Sequence, residues 1–214
     1  MPGKAAVKAG AEESRTESWR LFIAIPVPEA VKEEIERARD ELRRALPSDA
    51  VRWTTRPQFH LTLKFLGDVP ADRVPGLKES LGRACAFFPA FRLRSERVGF
   101  FPDLRSPRVV WVWVHDARDE LPRLQAAIEA ATAGFTTLAA EGKFTGHITL
   151  GRAKEIRRPQ ADILAKLALG MTGRFFGEWM ADRIAIVRSE LAPGGSRYTT
   201  LAEIPLAGTA TLIP

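Results

Sequence analysis

Cysteine is nearly absent from this chain: there is one, Cys85, in 214 residues. A single thiol excludes an intramolecular disulfide framework and any cysteine-rich zinc or iron–sulfur site, and it fits a reducing compartment. Long apolar runs are missing as well. Val109–Val114 is six residues long, against the ~20 that a membrane-spanning helix needs. Met1–Ser18 has lysines but no apolar segment of the kind a secretory signal carries. A soluble, cytoplasmic protein is therefore expected. Histidine is scarce too, with only His60, His115 and His147, so any pairing among them carries information.

The remaining composition is ordinary for a globular protein, 45% hydrophobic and 27% charged, and the length suffices to bury a core without covalent staples. Net charge is +6. Residues 1–18 balance Lys4, Lys8 and Arg15 against Glu12, Glu13 and Glu17, so the excess lies in the body of the chain. That points to a polyanionic partner such as nucleic acid or phosphate, with simple solubility as the alternative. Residues 1–18 are poor in large apolar side chains and read as a disordered leader, leaving 19–214 as one folded domain.

Periodicity predicts strands at Arg20–Val27, Val51–Thr54, Phe59–Leu66, Phe91–Val98, Val109–Val114, Phe144–Gly151, Gly173–Trp179, Arg183–Glu190 and Tyr198–Pro205. Helices are expected over Glu29–Leu46, Val74–Ala86, a segment ending near Ala133 with Pro122 in its first turn, and Pro159–Leu167. Gly99–Pro107 reads as a loop, and Pro193-Gly194-Gly195 as a hairpin turn. Several strands follow one another without an intervening helix. The fold class is therefore α+β, with mixed or antiparallel sheets and helices outside.

A short internal repeat stands out against this background: His60-Leu61-Thr62-Leu63 and His147-Ile148-Thr149-Leu150. Side chains alternate along a strand. His60 and Thr62 then share one face, with Leu61, Leu63 and Phe65 on the other. His147 and Thr149 likewise face away from Ile148 and Leu150. If the strands meet, two imidazoles and two hydroxyls converge. Imidazole titrates near neutrality, so the pair suits acid–base chemistry at a phosphate without a metal, and a bell-shaped pH–rate profile would follow. The alternative is two unrelated histidines.

These residues resemble the RNA 2′,3′-cyclic phosphodiesterases, also called 2′-5′ RNA ligases, of the two-histidine (2H) phosphoesterase superfamily. The likeness runs through nearly the whole chain after Trp19. It covers Arg20-Leu21-Phe22-Ile23-Ala24-Ile25, Arg52-Trp53, Phe59 to Gly67, Val98 to Pro102, Pro107 to Trp111, His147 to Arg152 and Gly195 to Tyr198. The resemblance implies a bilobal fold whose two pseudo-symmetric lobes each bring one histidine to a central cleft. It implies hydrolysis of an RNA terminal 2′,3′-cyclic phosphate to a 2′-phosphomonoester, with His60 as acid, His147 as base, and Thr62, Thr149 and Arg152 on the phosphate. The reverse assignment of acid and base stays open, as do 2′-5′ ligation, hydrolysis of a small cyclic nucleotide, and a non-catalytic RNA-binding module. No cofactor and no metal are implied, and a monomer is expected.

Three points qualify the match. Arg152 lies five residues after His147, so strict alternation puts it on the wrong face unless a bulge intervenes at Gly151; a solvated strand-end arginine is the alternative. The family often has proline before the second histidine where this chain has Gly146, which is expected to loosen the strand entry. His115 is a candidate RNA contact or an ordinary surface histidine, and a zinc site from His60, His115 and His147 has no support in the spacing. Basic residues gather in 51–78, 92–108 and 143–158, each with five basic side chains against two, two and one acidic; some of them are expected to rim the cleft. Phe100, Phe101 and Tyr198 are candidate stacking partners for a terminal base, with core packing expected for at least one of the phenylalanines.

Overall fold

The computed structural model describes residues 17–139, 142–153, 156–193 and 195–208. Its strands are β1 (Ser18–Pro26), β2 (Val51–Trp53), β3 (His60–Pro70), β4 (Phe91–Phe101), β5 (Val109–His115), β6 (His147–Ala153), β7 (Phe175–Ala181), β8 (Arg183–Ala192) and β9 (Gly195–Pro205). The helices are α1 (Glu29–Arg44), α2 (Val74–Cys85), α3 (Glu120–Thr132) and α4 (Arg158–Gly170). This is the α+β order expected from the sequence, and it adds short 3-10 turns at Arg56–Gln58 and Ala71–Arg73. None of these helices is long and apolar enough to cross a membrane. Residues 1–16 of the leader lie outside the described residues. Glu17 and Ser18 belong to the fold, since Ser18 pairs with Pro70 and the Glu17 carbonyl accepts a hydrogen bond from Ala71 N.

All pairings are antiparallel, in the order β7-β4-β5-β6-β3-β1-β8-β9, with β2 on β6. Two four-stranded ladders, β9-β8-β1-β3 and β7-β4-β5-β6, meet at one pairing, Leu61 with Ile148. The lobes are interlocked through their helices. Helix α1 follows β1 yet packs on β7 and β2, and α4 packs on β4; α2 packs on β9 and α3 on β3. Each lobe is therefore built from both halves of the chain. The outer face of the sheet and the helices bury one continuous core, and the inner face is left to form a cleft.

Several pairings depart from simple alternation. The register of β1 on β3 slips between Ile23 and Ala24, which pair with Lys64 and Thr62. Leu63 and Lys64 consequently both turn to the helix side, and Phe65 swings to the cleft face beside Phe22, at 5.6 Å between ring centroids. The expectation that Phe65 joins the core is corrected: it is 47% exposed. Buried Lys64 is held by Glu129 at 2.7 Å and by the Leu138 carbonyl at 2.8 Å. Strand β4 runs three residues past its expected end, so Gly99–Phe101 is strand and not loop. The partner that extends it is β5, from Gly99–Trp111 to Phe101–Val109.

Gly146 does not loosen the entry to β6. It is buried, and its carbonyl accepts from Val114 N at 2.9 Å. A Cβ there would stand 2.4 Å from the Val114 carbonyl oxygen and 2.7 Å from Leu121 Cδ2. Gly146→Ala is expected to cost roughly 1–3 kcal/mol by overpacking and to lower the melting temperature by several degrees. Thermal unfolding followed by circular dichroism checks it; an unchanged melting temperature would contradict this packing.

Candidate active site

The single pairing of β3 with β6 builds the site. With Leu61 opposite Ile148 and both in the core, the antiparallel register carried one residue either way sets His60 opposite Thr149 and Thr62 opposite His147. All four side chains lie on the cleft face, and a local two-fold axis passes between the two strands.

Each imidazole is fixed in the same way. His60 Nδ1 lies 2.6 Å from the Gln58 carbonyl and His147 Nδ1 lies 2.8 Å from the Thr145 carbonyl. A carbonyl only accepts, so each Nδ1 carries its proton and Nε2 is the nitrogen left for chemistry. Phe22 and Tyr198 flank His60, with ring centroids at 4.7 and 5.3 Å. Phe101 and Trp111 flank His147, at 5.1 and 6.2 Å. Among the described residues, neither the Thr62 nor the Thr149 hydroxyl is occupied by a protein partner.

Burial pushes the His60 imidazolium down to about 4, against the opposing pull of the Gln58 carbonyl, and the charges of His147, Lys32 and Arg152 add to the depression. His147 is also held below its ordinary value, by burial first and then by Arg152. Arg152 acts on both rings because a second bulge brings it round. The register of β5 on β6 slips between Val110, opposite Gly151, and Trp111, opposite Thr149. Leu150 and Gly151 are both buried, and Arg152 returns to the cleft face, exposed. The bulge follows the His-x-Thr-Leu segment in both strands, so Arg152 occupies in β6 the place that Phe65 takes in β3.

The lobes differ in their floors. Ala24 pairs with Thr62 and with Ala185, whereas Trp111, at the matching position, pairs with Thr149 and Gly99. The Trp111 indole lies directly on Gly99, where a Cβ would stand 2.3 Å from Trp111 Cη2. The small alanines leave a cavity of about 160 Å³ beside His60, bordered by Phe22, Lys32, Tyr198 and Thr200. Beside His147 the equivalent position holds the Trp111 indole. A larger cavity, about 300 Å³, lies between Pro26–Pro28 and Trp179–Arg183 and has no histidine in its lining.

Tyr198 lies beside His60 and Phe101 beside His147. Phe100 points away from the cleft, into the core, because it is one residue out of phase with Phe101 on β4; it is the phenylalanine that packs in the core, and its candidacy as a base contact is corrected. His115 stacks on Trp113 at 4.0 Å and faces Glu96 at 3.3 Å. Among the described residues no three His, Cys, Asp or Glu side chains come together as metal ligands. Of the basic residues expected near the cleft, Arg56 pairs with Glu29 and Glu33 on α1, Arg92 with Glu178, and Arg94 with Glu96. The sequence reading missed Ala24, Phe22 and Trp111, since apolar residues paired across a sheet carry no local motif, and Lys32, which α1 brings to the cavity from outside the sheet.

The comparisons agree with this geometry. The family model described as LigT-like phosphoesterase matches twice, over residues 25–111 and 112–198. The chain is 31% identical over 184 residues to an Archaeoglobus fulgidus protein named RNA 2′,3′-cyclic phosphodiesterase, covering 85% of this chain and 97% of that one. A Thermus thermophilus protein of the same name is 33% identical over 199 residues, 88% of this chain and 91% of the other. Among solved structures, E. coli LigT complexed with 3′-AMP superposes with a TM-score of 0.70 at 30% identity, covering 89% of this chain and 99% of LigT.

Proposed function

The chain belongs to the LigT-like phosphoesterase family, and from that premise and the paired histidines we propose that it is an RNA 2′,3′-cyclic phosphodiesterase, acting as a cytoplasmic monomer without a metal. The observation that carries the reading is the junction of β3 and β6. One strand pairing places two imidazoles with free Nε2 atoms and two hydroxyls around a space that Arg152 makes electropositive.

One histidine, neutral, takes a proton from water as its oxygen attacks phosphorus. The other, protonated, gives its proton to the 3′ oxygen as the P–O3′ bond breaks. The products are a 2′-phosphomonoester and a free 3′ hydroxyl. Thr62, Thr149 and Arg152 hold the non-bridging oxygens, and the guanidinium offsets charge as it builds on them.

The direction follows from the unequal floors. In an in-line displacement the leaving oxygen and the attacking water stand on opposite sides of phosphorus. The leaving oxygen belongs to the ribose, so the nucleoside needs room on the acid's side. The open cavity lies beside His60, which supports His60 as the acid and His147 as the base. The bound phosphodiester, being an anion, restores to His60 the proton affinity that burial removes. The deeper depression of free His60 favours a second reading with the roles exchanged.

The test is an RNA oligonucleotide ending in a 2′,3′-cyclic phosphate, incubated with EDTA, with the terminal group identified. A 2′-phosphate is expected. A 3′-phosphate, or loss of turnover on chelation, would overturn the proposal; tight binding without turnover would favour a binding module.

A further inference from the structure

We infer that Arg52 forms a second phosphate subsite, which takes the internucleotide phosphate on the 5′ side of the terminal nucleotide and makes this a site for the end of an RNA strand. The inference rests on the phosphodiesterase reading above and adds to it the class of substrate: an oligonucleotide, as distinct from a free cyclic mononucleotide.

Arg52 is positioned by β2. It pairs with Arg152 across β2 and β6, so both side chains leave the sheet on the same face. Its neighbours Val51 and Trp53 close over Gly151 on the core side, with a Cβ at Gly151 standing 2.6 Å from Val51 Cγ1. Arg52 therefore points into the cleft, where it is exposed. The hairpin of β8 and β9 reaches over to meet it. A Cβ at Gly195 would stand 3.5 Å from Arg52 Nη2 and 3.7 Å from Gln58 Nε2, and that amide donates to the Ser196 carbonyl. Three residues after Gly195 on the same strand, Tyr198 packs edge-on against His60. The guanidinium thus lies between the Arg152 strand and the hairpin that flanks the histidine.

Two features assign it to a separate phosphate. Among the described residues neither Arg52 nor Arg152 has a carboxylate at ion-pair distance, while Arg56, Arg92, Arg94 and Arg174 each do. Two like charges on paired positions are unfavourable until anions arrive. Of the two, Arg152 shares the strand of His147 and its charge reaches both imidazoles, whereas Arg52 lies one strand over, on β2. A nucleoside 2′,3′-cyclic phosphate brings one phosphate, which Arg152 takes. The end of an RNA strand brings another one nucleotide away, and a guanidinium binds such a group through two parallel hydrogen bonds.

The test compares kcat/KM on three substrates: uridine 2′,3′-cyclic phosphate, the same compound with a 5′-phosphate, and an oligoribonucleotide ending in a 2′,3′-cyclic phosphate. The wild type is expected to favour the two 5′-phosphorylated substrates by roughly tenfold or more, the scale of a charge-assisted phosphate contact. Arg52→Ala should erase most of that preference, Arg52→Lys should keep part of it, and the salt dependence of oligonucleotide binding should weaken by about one unit of slope in Arg52→Ala. Melting temperatures of both variants establish that they are folded. Equal losses on all three substrates, or a preference indifferent to Arg52, would overturn the subsite alone. No turnover of any substrate by the wild type would overturn the phosphodiesterase reading, and the subsite with it.

Discussion

His147→Ala and His60→Ala are each expected to lower kcat on a cyclic-phosphate-ended RNA by about 10²–10⁴-fold, with the double variant little slower than the worse single one. Non-additivity follows because the two proton transfers serve one displacement; once either is lost, the other has nothing to assist. The variants separate on a substrate whose 3′ bridging oxygen is replaced by sulfur. A thiolate leaves without being protonated, so the acid becomes dispensable while the base does not. With the cavity beside His60 setting the direction, His60→Ala should regain most of its lost rate on this substrate and His147→Ala should not. The opposite pattern would exchange the roles. Full activity of both variants would sink the two-histidine mechanism.

The second large effect is on pH dependence. The free site needs one neutral and one charged imidazole, so kcat/KM is greatest between the two free-enzyme values and falls on either side. Burial holds His60 near 4 and keeps His147 below its ordinary 6.5. The optimum of kcat/KM should therefore be acidic, and above it the rate should fall about tenfold per pH unit as the acid loses its proton. The profile of kcat should sit higher, since the bound phosphate anion favours the imidazolium. A kcat/KM plateau reaching pH 8 would contradict the desolvation described here. Stability follows the same sign. The unfolded chain binds protons on both histidines more readily than the folded one, so acidification from about 6.5 towards 4 destabilises the native state. A melting temperature falling through that window, with inorganic phosphate opposing the fall, is the accompanying result.

Much of this was legible in the sequence, and its failures share a cause. The element order and the two His-x-Thr strands follow from periodicity, because one-sided burial imposes alternation residue by residue. A bulge breaks that phase without a compositional mark. Leu63-Lys64 and Leu150-Gly151 look alike as interruptions only when the register is seen. Hence alternation alone sends Phe65 to the core side and leaves the face of Arg152 undecided. Phe100 and Phe101 are adjacent and chemically identical; only the end of β4 decides which one faces His147. The crossing of helices between lobes is set by long-range packing and has no local signature at all.

That crossing bears on how the two repeats relate. The family model divides the chain at 111/112, within β5, yet neither half owns a lobe: α1 leaves the first repeat to cover β7 of the second, and α3 leaves the second to cover β3 of the first. The molecule has the topology of an exchanged dimer joined into one chain, with a histidine from each repeat meeting at the joint. Residues 17–111 and 112–208 produced as separate fragments would each expose the sheet and helix faces that the other covers. Activity would then belong to the reassociated pair, and its recovery would depend on fragment concentration to the second order.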